Sequence, residues 1–240
     1  MMVTYIIIAI IAYLIGSVNF GVIISKKMAG FDVREKGSGN AGSTNVLRTV
    51  GKKAAAITLV CDILKGVVSV LIAVIVGKIV KDINPAILVE LAAFFVIVGH
   101  TFPVFFKFKG GKGVATSLGI VMLINWKIGL ICLVFALAIM ALTKMVSFGS
   151  ISTAVLFAVL VLFANDFRDS FIVEFDLSFI VFAIALAALV IFNHRSNLKR
   201  IMSGTENKLS FKKKTEENKS EKEEAQEKEV EETAEGSKEK

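Results

Sequence analysis

The sequence predicts an all-α polytopic membrane protein, and three observations support this fold class. The chain of 240 residues is 55% hydrophobic, with a mean hydropathy of +0.70. It contains 19 Phe but only two Pro. Residues 2–25 include no charged side chain, and long uncharged apolar runs are typical of transmembrane helices. We therefore expect a bundle of about seven transmembrane helices, some of them short.

The apolar segments justify this count. The first one has no cations before its apolar core and is followed by Lys26 and Lys27, which indicates an uncleaved first helix rather than a signal peptide. The stretch 114–143 is either one long helix or two short helices broken at residues 125–127. The predicted segments are residues 2–25, 54–80, 86–99, 114–124, 128–143, 151–164 and 172–192.

The distribution of Lys and Arg predicts the orientation of the chain, because cytoplasmic loops collect these residues. Residues 26–53 contain seven of them, residues 107–112 contain three, and residues 194–200 add more. These regions share one side only if residues 114–143 cross the membrane twice. We therefore predict a multi-pass protein of the cell membrane with its N-terminus outside and its C-terminal tail in the cytoplasm.

Charge also divides the chain into a membrane domain, residues 1–204, and a tail, residues 205–240. The tail contains 9 Lys and 12 Glu, so a total net charge of +7 leaves +10 on the membrane domain. The tail has almost no apolar residues and cannot form a core. It is therefore predicted to be a disordered cytoplasmic segment.

A polar loop, KGSGNAGSTNVLR at residues 36–48, lies between two apolar segments. Glycines let backbone N–H groups approach an anion closely, and Arg48 can bind phosphate through two parallel hydrogen bonds. A flexible linker with a cationic end is the alternative, although a linker does not need paired amides. The side chains that can form further hydrogen bonds are Ser38, Asn40, Thr44 and Asn45.

A second glycine-rich stretch, KGGKG at residues 109–113, directly precedes a predicted helix. The free N–H groups of a helix N-terminus favour an anion, and Lys112 adds a full positive charge. The stretch is not a nucleotide P-loop, because Phe106 occupies a required glycine position and Gly113 follows the lysine. The alternative is a tight turn whose lysine reaches the membrane surface.

Other polar residues admit both a functional and a structural interpretation. His194 and Asn197 are three residues apart and share a face if the last helix continues. Asp62 and Lys65 lie inside an apolar segment, as a functional pair or as an intrahelical ion pair. His100 precedes a proline by three residues, which is typical of the exit from a helix.

Three stretches follow each other among the short hydrophobic segments: GSGNAGSTNVLR, HTFPVFFKFKGGKGVAT and HRSNLKRIMSGTENK. Together they resemble the three cytoplasmic motifs of the acyl-phosphate:glycerol-3-phosphate acyltransferase family, PlsY. Each motif is specific over ten or more positions. The resemblance covers the chain to about Lys208 and leaves the charged tail outside.

This resemblance implies the transfer of a fatty acyl group from acyl phosphate to a hydroxyl of glycerol 3-phosphate. The products would be lysophosphatidic acid and inorganic phosphate, in membrane phospholipid biosynthesis. Acyl-CoA and acyl carrier protein are not donors in the family. The expected partners are these two small substrates and the lipid bilayer, with no metal, cofactor or nucleic acid.

The resemblance also implies the residues of the site. Those expected in catalysis are Ser38, Lys112, His194 and Asn197. Those expected to bind phosphate or the rest of a substrate are Lys36, Gly39, Asn40, Thr44, Asn45, Arg48, Gly110, Gly111, Gly113 and Glu206. The proton of the attacking hydroxyl has two candidate acceptors, His194 and the leaving phosphate, and we favour the phosphate because phosphate esters have a second pKa of about 6.

Two functions of other classes compete with this interpretation. A transporter or flippase for a phosphorylated solute also suits short helices and anion-binding loops, but its polar loops should lie near the membrane midplane. A non-catalytic scaffold that recruits cytosolic enzymes through its tail leaves the three motifs unexplained. The prediction of all charged motifs at one face favours the acyltransferase.

Overall fold

The fold is all-α, as the sequence predicts. The computed structural model describes residues 2–163, 172 and 176–209, and these residues form ten α-helices without any β-strand. The predicted tail beyond residue 209 lies outside the described residues, as do the end of segment 151–164 and most of residues 164–175. The helices are α1 (Met2–Ser17), α2 (Phe20–Ala29), α3 (Ser43–Thr49), α4 (Lys52–Ile79), α5 (Pro85–Thr101), α6 (Val114–Ile124), α7 (Trp126–Thr143), α8 (Val146–Phe163), α9 (Leu177–Asn193) and α10 (Arg195–Met202).

Five spans of the described chain are long and apolar enough to cross a membrane. Helices α9 and α10 make a sixth if this pair, bent by 61° at their junction, is counted as one span. Helix α6 has 11 residues, so it is about 16 Å long, roughly half the thickness of the hydrocarbon core. Each of the seven predicted segments thus contains a helix, and α6 is far shorter than the hydrocarbon core is thick. The five spans are Met2–Ala29, Lys52–Ile79, Pro85–Phe106, Trp126–Thr143 and Val146–Phe163.

The first predicted segment is not one continuous helix, because it breaks between α1 and α2. The side chain of Asn19 accepts a hydrogen bond from the N–H of Val22 at 3.2 Å and caps α2. Lys65 on α4 donates to the carbonyl of Val18 at 3.0 Å. An asparagine that caps a helix competes with continuation of the preceding helix, so polar groups set this break inside an apolar run.

The stretch 114–143 forms two helices, the second of the two alternatives left open by the sequence. The side chain of Asn125 accepts a hydrogen bond from the N–H of Ile128 at 3.0 Å and caps α7. A Cβ added to Gly129 would lie 2.8 Å from Cα of Met122, seven residues earlier. In a straight helix these positions are about 10 Å apart, so the chain folds back at Asn125.

Close helix packing forms the core that supports the site. Helix α1 lies directly against α5, because a Cβ on Gly16 would fall on the carbonyl of Val96 and one on Gly99 on the carbonyl of Tyr13. Small residues allow this approach in membrane helices. The main core joins α1, α4, α5, α6, α7, α8 and α9. A second apolar cluster, which includes Val22, Val33 and Val46, joins α2 to the loop of residues 36–48.

Candidate active site

Residues from all three predicted motifs meet at one end of the helices. Lys112, in the loop before α6, donates a hydrogen bond to Oδ1 of Asn197 on α10. Nδ2 of Asn197 donates to Oε1 of Glu206 at 2.7 Å. Arg48, near the end of α3, donates to the carbonyl of Asn207 at 3.5 Å. We call Arg48, Lys112, His194, Asn197 and Glu206 the polar cluster.

Glu206 is the buried carboxylate of the polar cluster. Its Oε1 also accepts from Oγ of Ser147 at 2.9 Å, and its Oε2 accepts from Nε of Arg200 at 2.9 Å. Burial alone would raise the pKa of Glu206, but the hydrogen bonds from Asn197 and Ser147 and the charge of Arg200 outweigh it and lower the pKa. Glu206 is therefore ionised and partly balances the neighbouring cations.

Lys112 has a pKa close enough to neutral pH for its surroundings to change its protonation state. Burial lowers its pKa to about 8; the Glu206 carboxylate opposes this effect, and the nearby charges of Arg200 and Arg48 add to it. Lys112 is thus mostly protonated at neutral pH. A phosphate bound beside it would favour the protonated form, so Lys112 responds to the presence of an anion.

Arg48 completes the group of cations around Glu206. Burial lowers the pKa of Arg48 from its ordinary value, Glu206 raises it and Arg200 lowers it. A guanidinium group nevertheless stays protonated in proteins. Arg48 and Lys112 therefore place two positive charges at one half-buried site. The two residues belong to different motifs and are 64 positions apart in the sequence.

His194 lies at the bend between α9 and α10. The last apolar helix therefore does not continue straight through His194, which was the condition for placing His194 and Asn197 on one helix face. The His194 side chain is buried, and its Nδ1 is 2.7 Å from the carbonyl of Val190. A carbonyl only accepts, so Nδ1 carries the proton and donates it. In the neutral ring Nε2 is then a hydrogen-bond acceptor.

The first motif loop is organised by Asn45. The two N–H groups of its Nδ2 are shared among the carbonyls of Val33, Lys36 and Asn40, which lie 2.9–3.0 Å from the nitrogen. Its Oδ1 accepts from the N–H of Ser38 at 2.8 Å. The buried amide therefore fixes the loop through its backbone. The other predicted residues of the loop are placed as follows: Lys36, Ser38 and Gly39 are exposed, and Asn40 and Thr44 are half-buried.

Arg34 joins the first motif loop to the second. Its guanidinium forms two hydrogen bonds with the carboxylate of Asp32, at 2.7 and 2.9 Å, and donates to the carbonyls of Phe106 and Lys109 at 2.7 and 3.0 Å. The guanidinium holds the pKa of Asp32 at about 2. Asp32 thus holds the Arg34 guanidinium, which ties the two segments together through two hydrogen bonds.

Gly110 and Gly111 have a different role from the predicted anion cradle. Their N–H groups donate to the carbonyls of Thr101 and His100 at 3.1 and 3.0 Å. A Cβ on Gly111 would fall on the ring of His100, and one on Gly110 would lie on the His100 carbonyl. The glycines therefore let the loop pack on the end of α5, and their N–H groups are occupied by backbone carbonyls.

Gly113, the third glycine predicted to bind phosphate, lies directly before the N-terminus of α6. It is the N-cap of α6 with a left-handed φ of 85°, a conformation that favours glycine. The first backbone hydrogen bond of α6 runs from Ser117 to Gly113 at 2.8 Å. The N–H groups of Val114, Ala115 and Thr116 precede this ladder and lie beside Lys112 in the chain.

Sequence reasoning missed four polar residues of this region. Ser147 is hidden at the start of an apolar helix, and nothing in its local sequence indicates a partner 59 residues away. Arg200 lies within the third motif and pairs with Glu206 at 2.9 Å, although their spacing of six is not one that places two side chains on the same helix face. The other two are Asp32 and Arg34. Within residues 2–163, 172 and 176–209, no three side chains of His, Cys, Asp or Glu come together as ligands for a metal ion.

The fold and the site define a multi-pass helical membrane protein with a cation-rich polar site at one end. The particular family follows from comparison with known proteins. A family model described as glycerol-3-phosphate acyltransferase matches residues 6–204. The chain belongs to this family and is therefore an acyltransferase.

Curated relatives and solved structures agree with this membership. The glycerol-3-phosphate acyltransferase of Clostridioides difficile (strain 630) is 43% identical over 210 residues, which cover 88% of this chain and 98% of the relative. That of Thermoanaerobacter sp. (strain X514) is 46% identical over 205 residues, 85% and 95% of the two chains. A solved structure that matches is the crystal structure of PlsY, an integral membrane glycerol 3-phosphate acyltransferase, in its glycerol 3-phosphate form. Its sequence is 34% identical to this chain, and the TM-score is 0.74, with 86% of this chain and 96% of that one covered. Its lysophosphatidic acid form has a TM-score of 0.72 at 33% identity.

Proposed function

We propose that this protein transfers a fatty acyl group from acyl phosphate to glycerol 3-phosphate, giving 1-acyl-glycerol 3-phosphate and inorganic phosphate. The observation that carries the proposal is the polar cluster, in which Arg48, Lys112 and Asn197 from three separate motifs meet around Glu206. Both proposed substrates carry phosphate, which suits a site built from two cations. The family membership supports the acceptor, and the glycerol 3-phosphate and lysophosphatidic acid forms of PlsY match the proposed acceptor and product.

In the proposed reaction, the hydroxyl oxygen of glycerol 3-phosphate attacks the carbonyl carbon of the acyl group. The bond between that carbon and the phosphate oxygen breaks, and the hydroxyl proton leaves with the phosphate. An acyl phosphate is already activated, so the protein has to hold the two substrates together and stabilise charge. No covalent enzyme intermediate is required.

The residues of the polar cluster divide this work. Arg48 and Lys112 bind phosphate, and the positive charge of Lys112 stabilises the phosphate as it leaves. Nε2 of His194 and the amide of Asn197 orient the attacking hydroxyl through hydrogen bonds. Glu206 holds the Asn197 amide in place at 2.7 Å and keeps Lys112 protonated.

The loop of residues 36–48 supplies the remaining contacts to substrate. Ser38 and Thr44 donate hydrogen bonds from its open face, and Gly39 lets the backbone approach. Asn45 contributes by fixing the loop, because its amide is bonded to four backbone groups. Lys36 and Asn40 are the further contacts that we propose, with Gly113 at the start of α6.

We also propose the orientation of the protein in the cell membrane, with its N-terminus outside and the polar cluster and tail in the cytoplasm. The support is the concentration of Lys and Arg in residues 26–53 and 107–112. The contacts of Arg34 with the second motif loop bring these two cationic regions together. Glycerol 3-phosphate and acyl phosphate would then reach the site from the cytoplasm.

The decisive experiment is an assay of the purified full chain with acyl phosphate and glycerol 3-phosphate. Phosphate release and formation of lysophosphatidic acid should rise together and depend on both substrates. Acyl-CoA at equal concentration is the control donor and should give no lysophosphatidic acid. Transfer from acyl-CoA alone would overturn the proposed donor, and absence of transfer from both donors would overturn the proposed reaction.

A further inference from the structure

A group of three ionisable side chains is buried among the membrane-spanning helices below the second motif loop. Oδ1 of Asp62 is 2.8 Å from Nζ of Lys65 and 3.5 Å from Nδ1 of His100. The three residues are only 2%, 5% and 7% exposed. Ionisable residues are expensive in membrane segments and are typical of functional positions there. We call them the buried triad.

The buried triad fixes the relative positions of three elements. Asp62 and Lys65 lie on α4, and His100 lies at the end of α5. Lys65 also donates to the carbonyl of Val18 at the break between α1 and α2. An ion pair in this setting contributes little net stability compared with apolar packing, so its presence favours a role in fixing geometry.

His100 is the member of the triad that contacts the active site. Its carbonyl accepts the N–H of Gly111 at 3.0 Å, and its ring lies directly under that glycine. The next residue in the chain is Lys112, which donates to Asn197 in the polar cluster. A shift of the His100 ring would therefore move the backbone that carries the Lys112 ammonium.

The same end of α5 also holds the third motif. Oγ1 of Thr101 accepts a hydrogen bond from Nδ2 of Asn193 at 3.1 Å, and Asn193 directly precedes His194. The carbonyl of Thr101 accepts the N–H of Gly110 at 3.1 Å. The end of α5 is thus a common support for the residues on both sides of the polar cluster.

We propose that Asp62 is a positioning residue for the transfer reaction, and that it acts through His100 on Lys112. The Asp62 carboxylate lies 3.5 Å from Nδ1 of the imidazole and limits where the ring can lie. The ring then fixes the position of the backbone at Gly110 and Gly111. This backbone position in turn directs the Lys112 side chain towards the substrate phosphate. Asp62 itself does not touch substrate. This inference rests on the proposed function.

The test is a double-mutant cycle of Asp62→Asn with Lys112→Ala, with kcat and KM measured for both substrates. In the wild-type background Asp62→Asn should lower kcat/KM by about 10- to 100-fold, because small misplacements of a catalytic group have effects of this size. In the Lys112→Ala background the same change should cost less than about threefold, since residues that act through one another are not additive. Glu90→Gln, which alters another buried carboxylate of a membrane-spanning helix, is the matched control and should cost about the same small factor in both backgrounds.

Equal losses from Asp62→Asn in both backgrounds would show a general structural role and overturn the inference. Unchanged activity of Asp62→Asn would do the same. If Asp62→Asn does not insert, His100→Gln replaces it in the cycle with the same expectation. Failure of both variants to fold would make the triad a folding element and also overturn the inference. An inactive wild-type protein would instead refute the proposed function, so the two failures are distinguishable.

Discussion

At the scale of single residues, Arg48 and Lys112 provide the positive charge of the polar cluster. They come from the first and second motifs, and both are close enough to Glu206 for its charge to act on their pKa values. A charge-assisted hydrogen bond to phosphate is worth more than a neutral one. The two side chains are therefore the best places to test the site by substitution.

Arg48→Ala should reduce kcat/KM by roughly 10- to 150-fold, because a hydrogen bond to a charged group is typically worth about 1.5–3 kcal/mol. Lys112→Ala should cost at least as much, since Lys112 meets charge that develops on the leaving phosphate. The measurement is phosphate release with each substrate limiting in turn. Ser43→Ala, at the start of α3, is the control and should retain nearly full activity. Wild-type turnover of folded Arg48→Ala and Lys112→Ala would show that the motif loops are only connectors.

The pKa of Lys112 predicts an alkaline limit to activity. Burial lowers this pKa to about 8, so the charge is present below pH 8 and is lost above it. The kcat/KM for glycerol 3-phosphate should therefore fall as the pH rises through about 8. The pH dependence of kcat/KM reports the pKa values of groups in the free enzyme, where no phosphate is bound. In kcat the fall should occur at higher pH, because bound phosphate favours the protonated form.

Lys112→Arg distinguishes this explanation from titration of another group. Arginine keeps its charge throughout the accessible range, so the alkaline fall in kcat/KM should disappear even if the maximum rate is lower. A pH–rate profile between pH 6 and about 10 gives the answer. An unchanged fall in the arginine variant would assign the titration to a residue other than Lys112.

At the scale of the elements, the end of α5 and the loop after it determine where Lys112 lies. The carbonyls of His100 and Thr101 accept the N–H groups of Gly111 and Gly110. Glycine is required at residue 111 because a side chain would occupy the position of the His100 ring. Glycine is thus required because this loop packs closely against the end of α5. The requirement does not depend on an approach of the Gly111 N–H to phosphate, because that N–H donates to the His100 carbonyl.

Gly111→Ala should consequently abolish most of the transfer activity, with a fall in thermal stability. Its Cβ would overlap the imidazole of His100, so either the loop or α5 must move. The measurements are the transfer rate and the melting temperature in the same detergent. Gly30→Ala is the control: its φ of 74° is left-handed but the space around it is open, so the cost should be only about 1–2 kcal/mol. Normal activity and stability of Gly111→Ala would mean that His100 does not seat this loop.

At the scale of the whole molecule, the helices bring three distant motifs to one end of the bundle. Lys112 and Asn197 are 85 positions apart, and Arg48 and Asn207 are 159 positions apart. This arrangement fits the charge distribution, in which Lys and Arg are concentrated in residues 26–53 and 107–112. A single membrane face should therefore carry the site.

Single cysteines test this orientation. In a background without Cys61 and Cys132, cysteines at Ser43, Lys109 and Ser220 should react with a membrane-impermeant thiol reagent only from the cytoplasmic side. The reason is the excess of Lys and Arg in the loops that carry Ser43 and Lys109. The experiment compares intact cells with inverted membrane vesicles. Labelling of the Ser220 variant in intact cells would place the tail outside and contradict the proposed topology.

The sequence by itself determined the membrane class, the helical segments and the family. Apolar runs such as residues 54–80 need only composition to be identified as helices, because the bilayer requires internal hydrogen bonding of the backbone. The motifs around Arg48, Lys112 and Asn197 were equally visible, since they depend on local residue identity. Local information was sufficient for these features.

Only the tertiary structure decided how these pieces contact each other. The break at Asn19 depends in part on Lys65, which lies 46 residues later and completes the hydrogen bonding of Val18. The role of Gly111 depends on the ring of His100, and the charge of Glu206 depends on Ser147 in a distant apolar helix. Such features could not be read from the sequence, because hydrogen bonds and close packing between distant segments are set by distances that only the folded chain defines.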